Sequence, residues 1–227
     1  MSRFSEADRD RIRSQLVEAG RDLFTQFGFE RTRIRDVTEA VDIGTSTFYG
    51  FFDSKEALYV EVLCAERDLL EARIDEAVSA ATTPRAELRT MLETMFSEVR
   101  TNPLISRLIV ENELHALQAR LSESEQEALA ASVRESDLSY ADRWVELDEF
   151  RFDDPAVVGG VIRSLVFTTR SQETLVEIGG TADYDAVEAA LIDTVVAGLF
   201  AGDAERDDTD TEQDETAAET PETDADS

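Results

Sequence analysis

Apolar residues recur along most of this chain at the three- and four-residue spacing of an amphipathic helix. Near the N-terminus this spacing joins Ile12, Leu16, Leu23, Phe24 and Phe27. Ser5 is placed to cap this first helix, with Asp8 three residues on, and Gly28 is placed to end it. Similar patterns follow at residues 32–41, 45–51, 54–80, 85–100, 104–120, 123–148, 155–178 and 184–201. No segment alternates with the two-residue period of a strand for long, so the sequence predicts an all-α fold of about nine helices.

The helical pattern divides the chain into three parts. Residues 1–60 are predicted to form a small N-terminal unit of three helices, and residues 61–202 a larger helical bundle. Residues 203–227 contain no large apolar residue and carry 12 acidic residues against one arginine. A segment of this composition cannot bury a core, so we predict a disordered acidic tail.

The second and third predicted helices, over about residues 32–51, have the layout of a helix-turn-helix motif. The residues spaced to face inward, toward Leu23 and Phe27 of the first helix, are Ile34, Val37, Ile43, Phe48 and Phe52. This arrangement leaves an outward face made of Thr45, Ser46, Thr47 and Tyr49. Short hydroxyl side chains let a helix approach DNA closely and donate to phosphates and base edges. The motif therefore predicts a DNA-binding surface.

Several cations lie near this motif. Lys55, the only lysine of the chain, follows the third helix and is predicted to contact a phosphate. Arg33 and Arg35 open the second helix, where they either contact phosphate or lie on solvated surface. The N-terminal arginines either reach the minor groove or form ion pairs with the neighbouring acids; they are Arg3, Arg9, Arg11 and Arg13.

The overall charge limits how these cations are interpreted. The chain has 51 acidic and 22 basic residues, a formal net charge of −29. Many acids with almost no lysine is the composition expected of a protein that works in multimolar salt, where repulsion is screened within about 3 Å at 1 M. An acidic balance of this origin does not exclude a nucleic-acid partner. The single cysteine, the polar N-terminus and the lack of an apolar run long enough for a membrane span predict a cytoplasmic protein.

One combination of residues resembles a known family. It consists of Gly28-Phe29, Thr32, Asp36-Val37, Thr47-Phe48-Tyr49, Phe52 and Ser54-Lys55-Glu56-Ala57-Leu58. Over about residues 8–65 the chain looks like the DNA-binding domain of the tetracycline-repressor (TetR/AcrR) family of transcriptional regulators. The resemblance implies that Thr32 caps the second helix and contacts phosphate, as does Lys55. It also implies that Thr47 and Tyr49 contact the DNA backbone, and that Thr45 and Ser46 lie nearest the bases.

The chain departs from the family pattern at and beside the turn. Asp42 replaces the usual turn glycine, and Gly44 replaces the usual capping serine. Thr45, Ser46 and Gly50 stand where a basic residue, glycine and histidine are common in the family. These departures bear on base specificity and leave the motif itself intact.

The resemblance also implies roles for the C-terminal bundle, which in this family binds a small effector and forms a homodimer. Candidate pocket residues are Met91, Met95, Phe96, His115, Trp144 and Phe150, although each of them taken singly is more typical of plain core. The last two helices would form the dimer interface, with Val161, Leu165, Leu191 and Val195 in the seam. The same residues could instead pack within one subunit.

Other function classes lack support in the sequence. An enzyme is disfavoured because the chain has no glycine-rich phosphate loop and only one histidine, too few for a helical two-metal site. We therefore predict no cofactor and no metal. The predicted function is a dimeric, ligand-responsive, sequence-specific regulator, a repressor that a small-molecule effector releases from operator DNA. The alternative is a helical protein-interaction module with a degenerate DNA-binding motif.

The acidic composition generates a test of salt adaptation. We expect the melting temperature to be higher in about 2 M KCl than in about 0.1 M KCl, because screening relieves the repulsion among carboxylates. Differential scanning calorimetry across this salt range checks the prediction. A melting temperature that stays flat or falls with salt would remove this explanation of the composition.

Overall fold

The computed structural model of the chain describes residues 5–109, 117–168 and 183–200, with backbone alone for 109 and 132–139. The helices with described bounds are α1 (Glu6–Arg31), α2 (Ile34–Ala40), α3 (Thr45–Phe48), α4 (Lys55–Val78), α5 (Pro84–Thr101), α6 (Pro103–Ile109), α7 (Glu123–Val145), α8 (Pro155–Thr168) and α9 (Tyr184–Leu199). In these ranges the only β-type pairing is an isolated bridge between Phe150 and Phe200. The predicted all-α fold is confirmed. The predicted acidic tail and His115 lie outside the described residues.

Helix α1 begins at the predicted cap and bends at the predicted stop. The Ser5 hydroxyl accepts from the Asp8 amide at 3.1 Å, and the Asp8 carboxylate accepts from Ser5 in return. Gly28 has a φ of 78°, a conformation that favours glycine, and the chain then makes one more helical turn to Arg31.

This bend changes which aromatic residue enters the core. Phe24 and Phe29 are buried, whereas Phe27, predicted to face inward, is 45% exposed. The bend at Gly28 brings the Phe29 ring to 4.9 Å from the Tyr59 ring, so Phe29 occupies the space that the periodicity had given to Phe27. The prediction that Phe27 faces inward is therefore wrong, and the aromatic residue that packs against α4 at this end of α1 is Phe29, beyond the bend.

The helix-turn-helix is shorter than predicted at both of its helices. Helix α2 begins at Ile34, two residues after the predicted start, and its N-cap is Arg33. The cap predicted for Thr32 is therefore wrong, since Thr32 is the C-cap of α1. Helix α3 ends at Phe48, and the chain continues in turns in which the amides of Phe51 and Phe52 donate to the Phe48 carbonyl at 2.8 and 3.0 Å.

Two apolar cores lie along the length of α4. The first core joins α1 to α3 with the N-terminal half of α4, and it also includes Leu104, Leu108, Leu117 and Leu121. The second core joins the C-terminal half of α4 with α5, α7, α8 and α9. The domain boundary predicted near residue 60 stays a prediction, because the first core draws on residues from both sides of it.

Buried carboxylates connect helices between these cores. Glu66 of α4 and Glu98 of α5 are 2% and 7% exposed. The side-chain amide of Asn102 donates to both, at 2.6 and 2.8 Å, while Arg21 and Arg73 form ion pairs with Glu66 and Glu98. The Asn102 oxygen accepts from the Leu104 amide at 3.0 Å, which caps α6. A buried carboxylate requires such partners, because an unpaired buried charge costs several kcal/mol.

The predicted dimer-interface residues do not share one environment. Leu165 is only 9% exposed and belongs to the second core, which favours the alternative of packing within one subunit for this residue. Val161 on α8, and Leu191 and Val195 on α9, are half-buried. Among the described helices, none combines the length and apolar character that a membrane span requires.

Two phenylalanines of α1 form a matched pair for testing this packing. Phe24→Ala should reduce the free energy of unfolding by about 3–5 kcal/mol, because it empties a fully buried site. Phe27→Ala should change it by less than about 0.5 kcal/mol, because that ring is largely exposed. Denaturant unfolding of both variants checks the pair, and similar losses in both would contradict the bend at Gly28.

Candidate nucleic-acid interface

Helix α3 presents a polar face over an apolar anchor. Thr45 and Ser46 are exposed, Tyr49 is 55% exposed and Thr47 is half-buried. Phe48 on the opposite side has no exposed surface. Its ring centroid lies 5.5 Å from that of Tyr49, at 88°. The predicted outward face is therefore on the surface, and the buried Phe48 ring fixes its orientation.

The turn before α3 adopts the conformation that its sequence predicts. Asp42 has a φ of 56°, and among the described non-glycine residues it alone has a positive φ. Aspartate tolerates this left-handed region better than most residues. The Ile43 amide then donates to the Thr38 carbonyl at 3.0 Å, and Gly44 is the N-cap of α3. The short turn thus ties the start of α3 to the last turn of α2.

The start of α2 exposes two arginines and buries the threonine before them. Arg33 and Arg35 are exposed, and Arg35 forms an ion pair with Glu39 at 2.6 Å, which favours the solvated-surface alternative for Arg35. Thr32 is 1% exposed, and its hydroxyl donates to the carbonyls of Gly28 at 2.8 Å and Leu23 at 3.2 Å. The burial of this hydroxyl argues against the phosphate contact predicted for Thr32.

Lys55 lies at the start of α4 with its ammonium turned toward the protein. Nζ donates to the carbonyl oxygens of Phe29 at 2.7 Å and Thr32 at 3.0 Å, and lies 4.1 Å from the centroid of the Phe29 ring. Burial lowers the pKa of this ammonium below its ordinary value, against the opposite effect of nearby Glu56 and Glu30. The predicted phosphate contact of Lys55 stays a prediction, and only one of its three N–H groups lacks a carbonyl partner.

Two N-terminal arginines bind the backbone that directly follows α3. Arg9 donates to the Gly50 carbonyl at 3.1 Å, and Arg13 donates to the Phe51 carbonyl at 3.2 Å and to Glu61 at 2.8 Å. Their guanidinium groups lie 5.1 Å and 4.7 Å from the ring centroids of Phe51 and Phe52. Sequence reasoning missed this role, because the four-residue spacing of Arg9 and Arg13 puts them on one face of α1 but does not identify partners about 40 positions away.

Arg11 is the third N-terminal arginine that the structure describes. It forms an ion pair with Asp8 at 3.4 Å. Arg11 and Arg13 thus follow the ion-pair alternative, and Arg9 follows neither alternative, since it binds a backbone carbonyl. Arg3 lies outside the described residues.

The predicted effector residues lie together in the second core. Met91, Phe96, Trp144 and Phe150 are buried, and Met95 packs against them. The Trp144 ring stacks on Phe150 with centroids 6.4 Å apart, and its Nε1 donates to Glu87 at 3.2 Å. In this conformation the side chains fill the core. Within the described ranges, no group of three or more His, Cys, Asp or Glu residues could hold a metal ion.

Open clefts lie nearer the first core. One, of about 320 Å³, is polar and is lined by Arg21, Asp22, Thr25, Arg73, Glu98, Thr101, Asn102 and Pro103. Another, of about 340 Å³, is mostly apolar and is lined by Ala57, Val60, Glu61, Cys64, Ser124, Glu125 and Ala128. Neither cleft includes a predicted effector residue.

Sequence comparison relates the N-terminal part of the chain to DNA-binding regulators. Residues 16–62 match the family described as "Bacterial regulatory proteins, tetR family". The HTH-type transcriptional repressor KstR of Mycolicibacterium smegmatis is 32% identical over 102 residues, which are 45% of this chain and 50% of that protein. The regulator RutR of Escherichia coli K12 is 31% identical over 93 residues, 41% of this chain and 43% of RutR. The chain thus spans about half the length of these relatives.

Solved structures share the fold over most of the chain. A TetR-family transcriptional regulator from Pectobacterium atrosepticum superposes with a TM-score of 0.65 at 17% identity, over 88% of this chain and 99% of that one. RolR in complex with resorcinol gives 0.63 at 16% identity, over 85% and 91%. FadR of Bacillus subtilis in complex with stearoyl-CoA gives 0.59 at 14% identity, over 82% and 98%. At these identities the likeness concerns the fold.

The family match covers the segment in which α3 presents its hydroxyl face. It runs from Leu16 in the middle of α1 to Val62 in α4 and so includes the whole helix-turn-helix. This segment of the chain is thus similar to the DNA-binding part of the tetR family of bacterial regulatory proteins.

Proposed function

We propose that this protein is a ligand-responsive, sequence-specific DNA-binding transcriptional regulator and not an enzyme. The observation that carries the proposal is the geometry of α3, whose exposed Thr45, Ser46 and Tyr49 are held outward by the buried Phe48. A short helix with this polar face fits the major groove, which is wide enough to admit an α-helix. The names of the matched relatives, which are repressors, activators or regulators, support the same function.

In this proposal the residues of the motif divide their tasks. Thr45 and Ser46 face base edges, and the Tyr49 hydroxyl reaches a phosphate with the half-buried Thr47 beside it. Arg33 adds a cation at the start of α2. The partner is double-stranded operator DNA.

We propose a homodimer formed through the outer faces of α8 and α9. Val157 and Phe167 of α8 are 47% and 39% exposed. An added Cβ at Gly160 or Gly198 would meet nothing within 4 Å, so these glycines would let a second helix approach closely. Val161, Leu191 and Val195 border this surface as half-buried residues. A dimer places two copies of α3 one DNA turn apart, about 34 Å, which is the spacing of successive major grooves.

We propose that a small organic effector binds in the second core and releases the protein from DNA. The complexes of RolR with resorcinol and of FadR with stearoyl-CoA show that proteins of this fold bind organic ligands of very different size. The cluster of Met91, Met95, Phe96 and Trp144 supplies adaptable apolar lining once a ligand separates these side chains. Repression is favoured because KstR and DhaR are named as repressors.

We propose that the protein is cytoplasmic and adapted to high salt, and its ion pairs bear on the second point. Arginines on different helices form ion pairs with acids, as in Arg13–Glu61, Arg89–Asp193 and Arg143–Glu87. Such pairs order part of a chain whose net charge is −29, and high salt would screen the rest.

The central test is selection of DNA. The full chain should enrich a defined motif with two related half-sites from a random pool of duplexes, because a dimer reads both halves with the same helix. Sequencing of the bound fraction measures this result. Enrichment of no motif, in low and in high salt, would support the alternative of a helical interaction module.

Substitutions on α3 test the assigned roles. Tyr49→Phe should weaken binding to the selected DNA by roughly fivefold, the equivalent of one hydrogen bond of about 1 kcal/mol, with unchanged stability. Ser46→Ala should change the preference among half-site variants more than the overall affinity. Tyr140→Phe, the same chemical change within the bundle, is the control and should leave DNA affinity unaltered. Equal affinities for Tyr49→Phe and the parent would remove Tyr49 from the interface.

A pair of exposed phenylalanines tests the dimer surface. Phe167→Arg places a charge in the proposed apolar seam and should give a folded monomer. Phe152→Arg changes a side chain of similar exposure, 36%, outside α8 and α9, and should leave the dimer intact. Light scattering measures the mass of both variants. A dimeric Phe167→Arg variant would move the interface elsewhere.

A further inference from the structure

Helix α3 is too short to hold its own direction. It consists of the four residues Thr45–Phe48, about one turn, and isolated helices of this length are not stable in water. Its direction is therefore set by the segments on either side of it. The turn at Asp42 precedes it, and residues 50–52 lie between its end and the start of α4.

An arginine of α1 contacts the segment that follows α3. One guanidinium nitrogen of Arg13 donates to the Phe51 carbonyl at 3.2 Å, and the guanidinium carbon lies 4.7 Å from the centroid of the Phe52 ring. Phe52 is 4% exposed, and its ring centroid lies 5.7 Å from that of Phe48, the buried residue of α3. Arg13 therefore contacts both the backbone that follows α3 and a ring that packs against α3.

Glu61 of α4 fixes the orientation of this guanidinium. Nε of Arg13 donates to one oxygen of the Glu61 carboxylate at 2.8 Å, and a second guanidinium nitrogen binds the other oxygen. A planar guanidinium paired with both oxygens of a carboxylate has a defined direction, which a lysine ammonium lacks. With two nitrogens on Glu61 and the third on Phe51, Arg13 joins α1 to α4 and to the segment after α3.

We propose that Arg13, oriented by Glu61, is a positioning residue for DNA binding, which sets the direction of α3 relative to α1 and α4. This inference rests on the proposed DNA-binding function, and it requires no contact between Arg13 and DNA. The side chains of Arg13 and Glu61 are 45% and 32% exposed, so their ion pair contributes little to stability by itself. Its effect is on the geometry of residues 50–52 and, through them, on the exposed hydroxyl groups of α3.

The opposite charges of the two partners separate positioning from direct contact. Glu61→Met removes a negative charge, so electrostatics alone predicts tighter binding to the DNA polyanion. A phosphate contact by Arg13 would be strengthened in the same variant, because the guanidinium would lose its competing carboxylate. Positioning predicts the reverse, namely that the loss of either partner weakens binding to DNA.

A double-mutant cycle, measured by fluorescence anisotropy with the selected DNA, tests this prediction. Arg13→Met and Glu61→Met should each weaken binding about fivefold, the equivalent of one hydrogen bond. The double variant should lose about the same factor and not the roughly 25-fold expected of independent sites, because the second change removes a contact that is already lost. In Arg13→Met the slope of log K against log salt should stay unchanged.

Three results of the cycle would overturn the proposal. They are tighter binding by Glu61→Met, a double variant whose loss is the product of the two single losses, and a salt slope shallower by about one unit in Arg13→Met, the signature of a lost phosphate contact. Glu18→Met is the matched control, because it removes the same charge from an exposed position on α1. It should bind DNA at least as tightly as the parent, and a fivefold loss in this control would also overturn the proposal.

Hydrogen exchange tests the positioning without DNA. The amides of residues 50–52 donate to carbonyls of α3, so exchange in the segment 45–53 reports how well this region is held. Mass spectrometry should show about fivefold faster exchange there in Arg13→Met and in Glu61→Met, with unchanged exchange in α5. Exchange equal to that of the parent would contradict the inference, and so would equal acceleration in α5, which indicates a global loss of stability. If the parent selects no DNA, the proposed function fails, while these exchange rates still report whether Arg13 holds the segment.

Discussion

The close approach of α1 and α4 is the contact on which the other elements depend. Gly20 permits it, since a Cβ added there would lie 3.1 Å from Cδ2 of the fully buried Leu58. The two helices are also linked by the ion pairs Arg13–Glu61 and Arg21–Glu66. Because α2 and α3 join this pair at one end and α5 joins it at the other, the contact between α1 and α4 supports both the helix-turn-helix and the bundle.

The helix caps and the turn could be predicted from the sequence, because each is determined by residues close together in the chain. Ser5 and Ser54 cap the helices expected of them, Asp42 takes the left-handed conformation of the turn, and Gly44 is the N-cap of α3. Each of these features depends on residues within a few positions along the chain. For the same reason the all-α fold and the buried side of α3 could be predicted from periodicity.

The predictions that failed or changed depend on contacts distant in sequence. Phe27 is exposed and Phe29 is buried, because the bend at Gly28 directs Phe29 toward Tyr59, which lies 30 positions later in the chain. Lys55 reaches carbonyls 26 and 23 positions earlier, a pairing that no spacing rule encodes. As an apolar residue, Leu165 suits either an intersubunit interface or the core of one subunit, and its place in the second core follows only from the packing of the bundle. Periodicity identifies an apolar residue but does not specify its partner.

The bridge formed by Asn102 has a consequence for how this sequence can evolve. One side-chain amide serves two buried carboxylates, Glu66 and Glu98, while its oxygen caps α6. An aspartate at this position would add a third negative charge, and a leucine would leave acceptors of both glutamates without a donor. Substitution at any one of the three positions therefore makes the other two unfavourable. Descendants of this sequence should keep or exchange these three residues as a set, at the junction through which the bundle meets α1.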